Sequence, residues 1–251
     1  METNEKRELT PEERRRRREA RRRREEDLRK KKQKRALVIA GLVLAAAALI
    51  ALIIFVVLKL VNSGPDEIAA QGENFVIAID PGHGGEDTGM SNGEAVEKEV
   101  TLDICSKLKI MLESQGYNVI MTREEDTRLS KEARVSAVNA SSADLLVSVH
   151  CCYDSDSTIS GAISHYKADS EESQYLAENI QAALIKENGA EDGGSLEGSY
   201  TIITDSTMPS VLVEVGYLSN TQESTALADD SYQNSTAKGI AKGIILSLDR
   251  E

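Results

Sequence analysis

A long apolar segment near the N-terminus limits what this chain can fold into more than any other feature of its sequence. Residues 36–58 form a run of 23 residues without a single charge, and about 20 apolar residues suffice to cross a bilayer as a helix. A cleaved signal peptide is the alternative, but its apolar region usually spans only about 7–15 residues. The segment therefore predicts an uncleaved transmembrane helix, with the anchor extending over residues 36–61.

The charges on the two sides of this segment differ in sign. Residues 1–35 contain 17 Lys and Arg against 9 Asp and Glu, whereas the rest of the chain contains 13 against 33. Because positively charged flanks stay in the cytoplasm, we expect residues 1–35 to form a charged cytoplasmic tail. Its acidic residues dilute the basic charge, so nucleic acid is not an expected partner. Residues 62–74 are typical of a linker, which leaves residues 75–251 as a domain outside the cell.

Strand-like apolar runs alternate with helical patterns through this domain. Alternation of this kind predicts an α/β fold, with a mainly parallel twisted sheet and helices on both faces. The predicted strands cover residues 75–80, 118–122, 145–150, 161–166, 200–204 and 211–215. The predicted helices cover residues 97–115, 131–139, 170–186 and 231–248.

Two of the three histidines in the chain lie where strand-like runs end. His83 lies in the sequence Asp-Pro-Gly-His-Gly-Gly that follows the first predicted strand, and His150 ends the third. Ligands bind beyond the carboxyl ends of strands in open α/β sheets, and zinc takes His nitrogens and carboxylate oxygens. We therefore predict a metal site, against the alternative of ordinary loop histidines. Glu97 is well placed as a third ligand, but Glu94 and Glu99 are alternatives on spacing alone.

Glu214 interrupts an apolar strand-like run. A carboxylate is costly there unless it is paired, hydrogen-bonded or bound to metal, and burial would raise its pKa and suit it to proton transfer. The alternative is a charge at a strand end that reaches solvent. A metal with a nearby carboxylate predicts a metal-assisted hydrolase. His165 has no partner in the pattern and is predicted to be structural, and Arg134 is predicted to form an ion pair within its helix.

Four segments, in this order, resemble those of the zinc-dependent N-acetylmuramoyl-L-alanine amidases, a family of cell-wall enzymes. The resemblance covers residues 76–248, nearly the whole domain. The segments are Asp-Pro-Gly-His-Gly-Gly at 80–85, a Glu-Lys segment at 97–102, Ser-Val-His at 148–150 and the last predicted strand with its flanks at 208–220.

The resemblance implies a complete active site. It implies that His83, Glu97 and His150 bind zinc, which selects among the three candidate glutamates, and that Glu214 is the catalytic carboxylate that activates water. The bond cut would be the amide between the lactyl group of N-acetylmuramic acid and L-alanine of the stem peptide in peptidoglycan.

We therefore expect a zinc-dependent peptidoglycan hydrolase in the cell membrane, with its N-terminus cytoplasmic and the catalytic domain at residues 75–251 facing the cell wall. The alternatives are a non-catalytic wall-binding regulator on the same fold and a zinc peptidase that acts within the stem peptide. Cell separation, wall turnover and sporulation all fit this expectation, and the oligomeric state stays open.

Cys152 departs from the family pattern, which commonly has Asn two residues after the second zinc histidine. Side chains alternate along a strand, so an extended chain beyond His150 would point Cys152 to the ligand side and Cys151 away from it. One hypothesis is that Cys152 lines the cleft and makes activity sensitive to thiol reagents. The alternative is a small side chain that fills the space of the asparagine. All three cysteines are expected to be free thiols.

Overall fold

The computed structural model describes residues 75–93 and 95–249 and, apart from these, the single residue Arg29. Except for that residue, the predicted cytoplasmic tail, transmembrane helix and linker lie outside the described residues. Within the described ranges, no helix combines the length and the hydropathy needed to cross a bilayer.

The domain is an α/β structure. Its strands are β1 (Val76–Pro81), β2 (Ser91–Asn92), β3 (Ala95–Val96), β4 (Asn118–Met121), β5 (Leu145–Cys152), β6 (Ala162–Lys167), β7 (Asp192–Gly198) and β8 (Ser210–Tyr217). Its helices are α1 (Glu97–Ser114), α2 (Lys131–Ala140), α3 (Glu171–Asn188), α4 (Thr201–Thr204), α5 (Thr221–Leu227) and α6 (Asp230–Leu248).

Six of these strands form one sheet in the order β4-β1-β5-β8-β6-β7, and β2 pairs with β3 in a separate antiparallel ladder. Within the large sheet, β6 and β8 are antiparallel and the other neighbouring strands are parallel. The predicted α/β fold with a mostly parallel sheet is therefore confirmed.

Helices cover both faces of the sheet, as the apolar patterns predict. On one face, α1, α3 and α6 contribute Ile104, Ile180 and Ile240 to the larger cluster of buried side chains. On the other face, Val138 of α2 and Ile203 of α4 belong to a smaller cluster. Because the central strands are buried on both faces, they appear in the sequence as nearly continuous apolar runs.

One local prediction is wrong, and one strand was not predicted. The sequence pattern predicts a strand over residues 200–204, but Thr201–Thr204 form the short helix α4, whose Ile202 and Ile203 are buried. Their β-branched composition favours a strand, but packing against the sheet overrides this weak preference. The strand beside β6 is instead β7, Asp192–Gly198, which the sequence pattern leaves unassigned. This glycine-rich edge strand has few buried side chains to reveal it.

Candidate metal and catalytic site

Two histidines and one glutamate meet at the carboxyl edge of the parallel strands. His83 lies in the loop after β1, Glu97 is the first residue of α1, and His150 lies in β5. Glu97 Oε1 lies 3.1 Å from both His83 Nε2 and His150 Nδ1, and one ligand atom from each residue lies within 4.8 Å of the others. Two imidazoles and a carboxylate are a donor set of catalytic zinc sites. These residues therefore fit a zinc ion.

Neighbouring groups hold these side chains in place. Asp87 Oδ1 accepts a hydrogen bond from His83 Nδ1 at 2.8 Å, which leaves Nε2 for a metal. A carboxylate on the outer nitrogen of a ligating histidine is a recurrent feature of zinc sites. The backbone N–H groups of Met90 and Cys151 donate to the two carboxylate oxygens of Glu97 at 2.9 and 3.0 Å. The ligand geometry is therefore set by the protein itself.

Glu97 reaches the site because of where α1 begins. Val96, before the helix, supplies no side-chain cap, and the N–H of Glu97 donates instead to Met90 O at 2.8 Å. The loop thereby satisfies a free N–H at the start of the helix. Burial raises the pKa of Glu97, but hydrogen bonds from His150 and His83 outweigh this effect and hold the pKa well below its usual range. The carboxylate is thus in the ionised form that a metal requires.

Two glycines make room for these ligands. A Cβ atom on Gly82 would collide with the imidazole of His150, and one on Gly89 would lie 2.5 Å from Glu97 Oε2 and 2.7 Å from His83 Cδ2. Gly89 also has a φ of +63°, which glycine adopts without steric cost. Both positions therefore require glycine for the ligands to converge.

Two buried arginines hold the loop that carries His83. Arg134 donates to Asp80 Oδ1 at 2.7 Å, to Pro81 O at 2.6 Å and to His83 O at 2.5 Å. Arg123 donates to Pro81 O at 3.0 Å through Nε. His83 itself has a φ of 59°, a strained conformation for a residue with a Cβ atom. The arginines therefore hold the loop in a conformation that it would not keep by itself.

Glu214 lies beside the two histidines and the glutamate. It faces His150 across the β5–β8 ladder, and its side chain is 17 % exposed. Its Oε2 atom lies 2.9 Å from Nε2 of His165, and its Oε1 atom lies 3.5 Å from the hydroxyl of Tyr200. A partly shielded carboxylate near a candidate metal is suited to accept and donate protons.

A cavity of about 450 Å³ joins these groups. The charged and hydroxyl-bearing side chains that line it are Asp80, His83, Asp87, Glu97, Lys131, Arg134, His150, Ser199, Tyr200, Thr201 and Glu214. A family model described as N-acetylmuramoyl-L-alanine amidase matches residues 77–246, which include all of these. The chain belongs to the N-acetylmuramoyl-L-alanine amidase family.

Individual relatives agree with this assignment. The chain is 37% identical over 186 residues to a germination-specific N-acetylmuramoyl-L-alanine amidase of Bacillus subtilis, covering 68% of this chain and 78% of that protein. It also matches the crystal structure of an N-acetylmuramoyl-L-alanine amidase from Clostridium difficile 630, with a TM-score of 0.68 and 32% identity, over 71% of this chain and 98% of that one. The chain also matches the structure of the CwlD amidase from Clostridioides difficile, solved in complex with the GerS lipoprotein. The TM-score is 0.66 and the identity 33%, and the match covers 70% of this chain and 100% of that one.

Within this amidase domain, the structure brings together the residues that the sequence singles out. His83, Glu97, His150 and Glu214 all line the same cavity. Of the alternative ligands, Glu99 is exposed on α1, and Glu94 lies outside the described residues. The buried position of Glu97 at the start of α1 thus distinguishes it from Glu99, which is exposed on the same helix.

Cys152 lies beside Glu214 without being accessible. The β5–β8 register shifts between His150 and Cys152, and the Cys152 thiol contacts the side chains of Glu214 and Tyr217. Only 2% of Cys152 is exposed, and the cavity is bordered by Cys151. Burial, followed by the nearby Glu214 charge, raises the pKa of the Cys152 thiol well above its usual range. These facts favour the hypothesis of a space-filling side chain.

Two residues have partners that the sequence does not reveal. Arg134 pairs with Asp80 on β1, so the predicted pair within its helix is wrong. His165, which the sequence pattern predicts to be structural and for which it indicates no partner, contacts Glu214. In both cases the partner is distant in sequence, and no local pattern indicates it. The contact between His165 and Glu214 could have been inferred only from the order of the strands, because β6 and β8 are neighbours in the sheet.

Proposed function

We propose that this chain is a zinc-dependent peptidoglycan amidase that cleaves the bond between N-acetylmuramic acid and L-alanine of the stem peptide. The observation that carries the proposal is the position of Glu214 in the same cavity as His83, Glu97 and His150. Membership of the amidase family supports the substrate class.

His83, Glu97 and His150 would hold the metal, and a bound zinc ion would polarise the amide carbonyl and lower the pKa of water. Glu214 takes a proton from the attacking water, whose oxygen bonds to the lactyl carbonyl carbon. When the carbon–nitrogen bond breaks, the same carboxyl group returns the proton to the leaving nitrogen. The products are a lactyl carboxylic acid on the glycan and a free amine on L-alanine.

The test is the replacement Glu214→Gln in the full-length protein. Loss of a general acid–base usually costs about 100- to 10,000-fold in rate. We therefore expect turnover to fall at least about 100-fold, while zinc content stays at the wild-type level. Mass spectrometry of digested muropeptides should show glycan strands without peptide for the wild type only. Chelation should abolish this activity, and added zinc should restore it.

Each alternative has its own outcome in this experiment. A wild-type protein that holds no zinc and releases no stem peptide would be a wall-binding regulator. Products cut within the stem peptide, with L-alanine still attached to the glycan, would indicate a zinc peptidase. Wild-type turnover by the Glu214→Gln variant would contradict the role given to this carboxylate.

We also propose that residues 36–58 anchor the protein in the cell membrane, with the amidase domain on the outer side. The uncharged segment and the preceding basic residues support this orientation. Protease added to intact protoplasts should remove the domain but leave the N-terminal tail protected. Release of the whole protein by high salt or carbonate, without detergent, would argue against the anchor.

A further inference from the structure

His165 lies on the strand next to the candidate catalytic carboxylate. Strand β6 runs antiparallel to β8, with Ile163 opposite Glu214 and His165 opposite Leu212. His165 is therefore a diagonal neighbour of Glu214 on the same face of the sheet, a separation that long side chains can bridge. Nε2 of His165 lies 2.9 Å from Glu214 Oε2, and the two side chains are 12 % and 17 % exposed. The contact is largely shielded from water.

The surroundings of His165 show which of its ring nitrogens contacts the carboxylate. An ionised carboxylate only accepts hydrogen bonds, so the Nε2 atom that faces Glu214 is the donor. Within the described part of the chain, the buried Nδ1 atom of His165 has no hydrogen-bond partner. Among the described residues, the hydrogen bond from Nε2 to Glu214 is therefore the one polar contact of the His165 ring.

Tyr200 lies against the carboxylate of Glu214, as does the thiol of Cys152. Its ring packs against that of His165 with the centroids 5.0 Å apart, and its hydroxyl lies 3.5 Å from Glu214 Oε1. Tyr200 lines the cavity. Oε2 of Glu214 is thus held by His165 of β6, while Oε1 lies near the Tyr200 side chain that lines the cavity.

We propose that His165 is a positioning residue of the amidase reaction, which holds Glu214 Oε2 so that Oε1 exchanges protons with the attacking water and the leaving nitrogen. The inference rests on the proposed role of Glu214. A general base must lie within about 2.6–3.2 Å of the group it deprotonates, and a misplacement of about 1 Å costs roughly 100-fold in rate. His165 therefore contributes to kcat and not to zinc binding or substrate binding.

Three substitutions in the full-length protein test this inference. His165→Gln keeps an amide N–H at a similar reach, His165→Asn draws it back by one methylene group, and His165→Leu removes it. We expect kcat to fall about 10- to 100-fold for the leucine and asparagine variants, with KM changed less than about threefold. The glutamine variant should lose no more than about fivefold in kcat. Zinc content should equal that of the wild type in all three.

The outcomes separate the inference from the function on which it rests. Equal losses in His165→Gln and His165→Leu, or losses confined to KM or to zinc content, overturn the positioning role. A Glu214→Gln protein with wild-type activity overturns the proposed function itself, whereas an inactive Glu214→Gln beside a fully active His165→Leu overturns only the inference. The double variant His165→Leu/Glu214→Gln should be no slower than Glu214→Gln alone, because His165 acts through Glu214. If His165→Leu does not fold, the comparison of His165→Gln with His165→Asn decides.

Discussion

Replacement of Arg134 by methionine should destabilise the domain and weaken its metal site together. The Arg134 side chain is 8% exposed, and its guanidinium group makes three short hydrogen bonds, to Asp80, Pro81 and His83. Methionine keeps most of the apolar stem but leaves Asp80 buried without its counter-charge. Removing one partner of a buried ion pair costs about 3–5 kcal/mol, since the remaining bonds of Asp80 to Thr122 and Ser148 do not replace a positive charge.

The loss should reach the metal site because Arg134 also bonds the carbonyl group of His83. That residue has a φ of 59°; such strain costs on the order of 1–3 kcal/mol and persists only where the surroundings enforce it. Without Arg134 the loop can relax and carry the imidazole away from Glu97. We expect zinc affinity to fall about 10- to 100-fold, as for other contacts that orient metal ligands.

The measurement is chemical denaturation of the metal-free protein, which excludes the stability contributed by zinc, together with zinc titration of the folded protein. The double variant Asp80→Asn/Arg134→Met is the matched control, because it removes both charges. It should lose less stability than the sum of the two single variants. A loss below about 1 kcal/mol for Arg134→Met, the usual value for an exposed pair, would refute the reasoning.

Three further predictions concern Asp80, Gly82 and Cys152. Burial raises the pKa of Asp80, but Arg134 and then Thr122 outweigh this effect and lower it. Asp80 thus contributes stability above its unfolded pKa of about 3.9. The stability gap between wild type and Asp80→Asn should shrink as pH falls below that value, and a pH-independent gap would contradict this. Gly82→Ala should push His150 aside and reduce zinc content in metal analysis, although the fold survives by circular dichroism. Because Cys152 is buried, it should react slowly with a thiol reagent in the native protein and rapidly in urea. Rapid labelling of the native protein would instead support the hypothesis of an accessible thiol.

The convergence of His83 and His150 could be predicted because it follows a rule of parallel sheets. His83 comes just after the end of β1 and His150 lies two residues before the end of β5. These strands pair in parallel, so any fold of this class brings the two histidines to one edge. Glu97 could be predicted only as one of three candidates, because the residue at which α1 begins depends on a loop contact with Met90. The sequence pattern thus indicates the edge of the sheet but not the start of the helix.

The supporting residues could not be predicted for a different physical reason. Asp80 and Arg134 are 54 residues apart, and the pair forms because α2 packs over the end of β1. Any apolar surface of similar size could have received this helix, so the pattern along α2 does not specify the partner. The pattern indicates only that Arg134 lies on a helix that covers the sheet.

His165 shows where the strand-end rule itself stops. Strand β6 is antiparallel to β8, so its beginning, and not its end, lies at the edge that carries the metal ligands. A residue further along β6 reaches that edge only by leaning back along the strand, as His165 does toward Glu214. Residues on an antiparallel neighbour are therefore hidden from a search for strand ends. In relatives with the same strand order, the residue diagonal to the equivalent of Glu214 is the position at which to look for a similar donor.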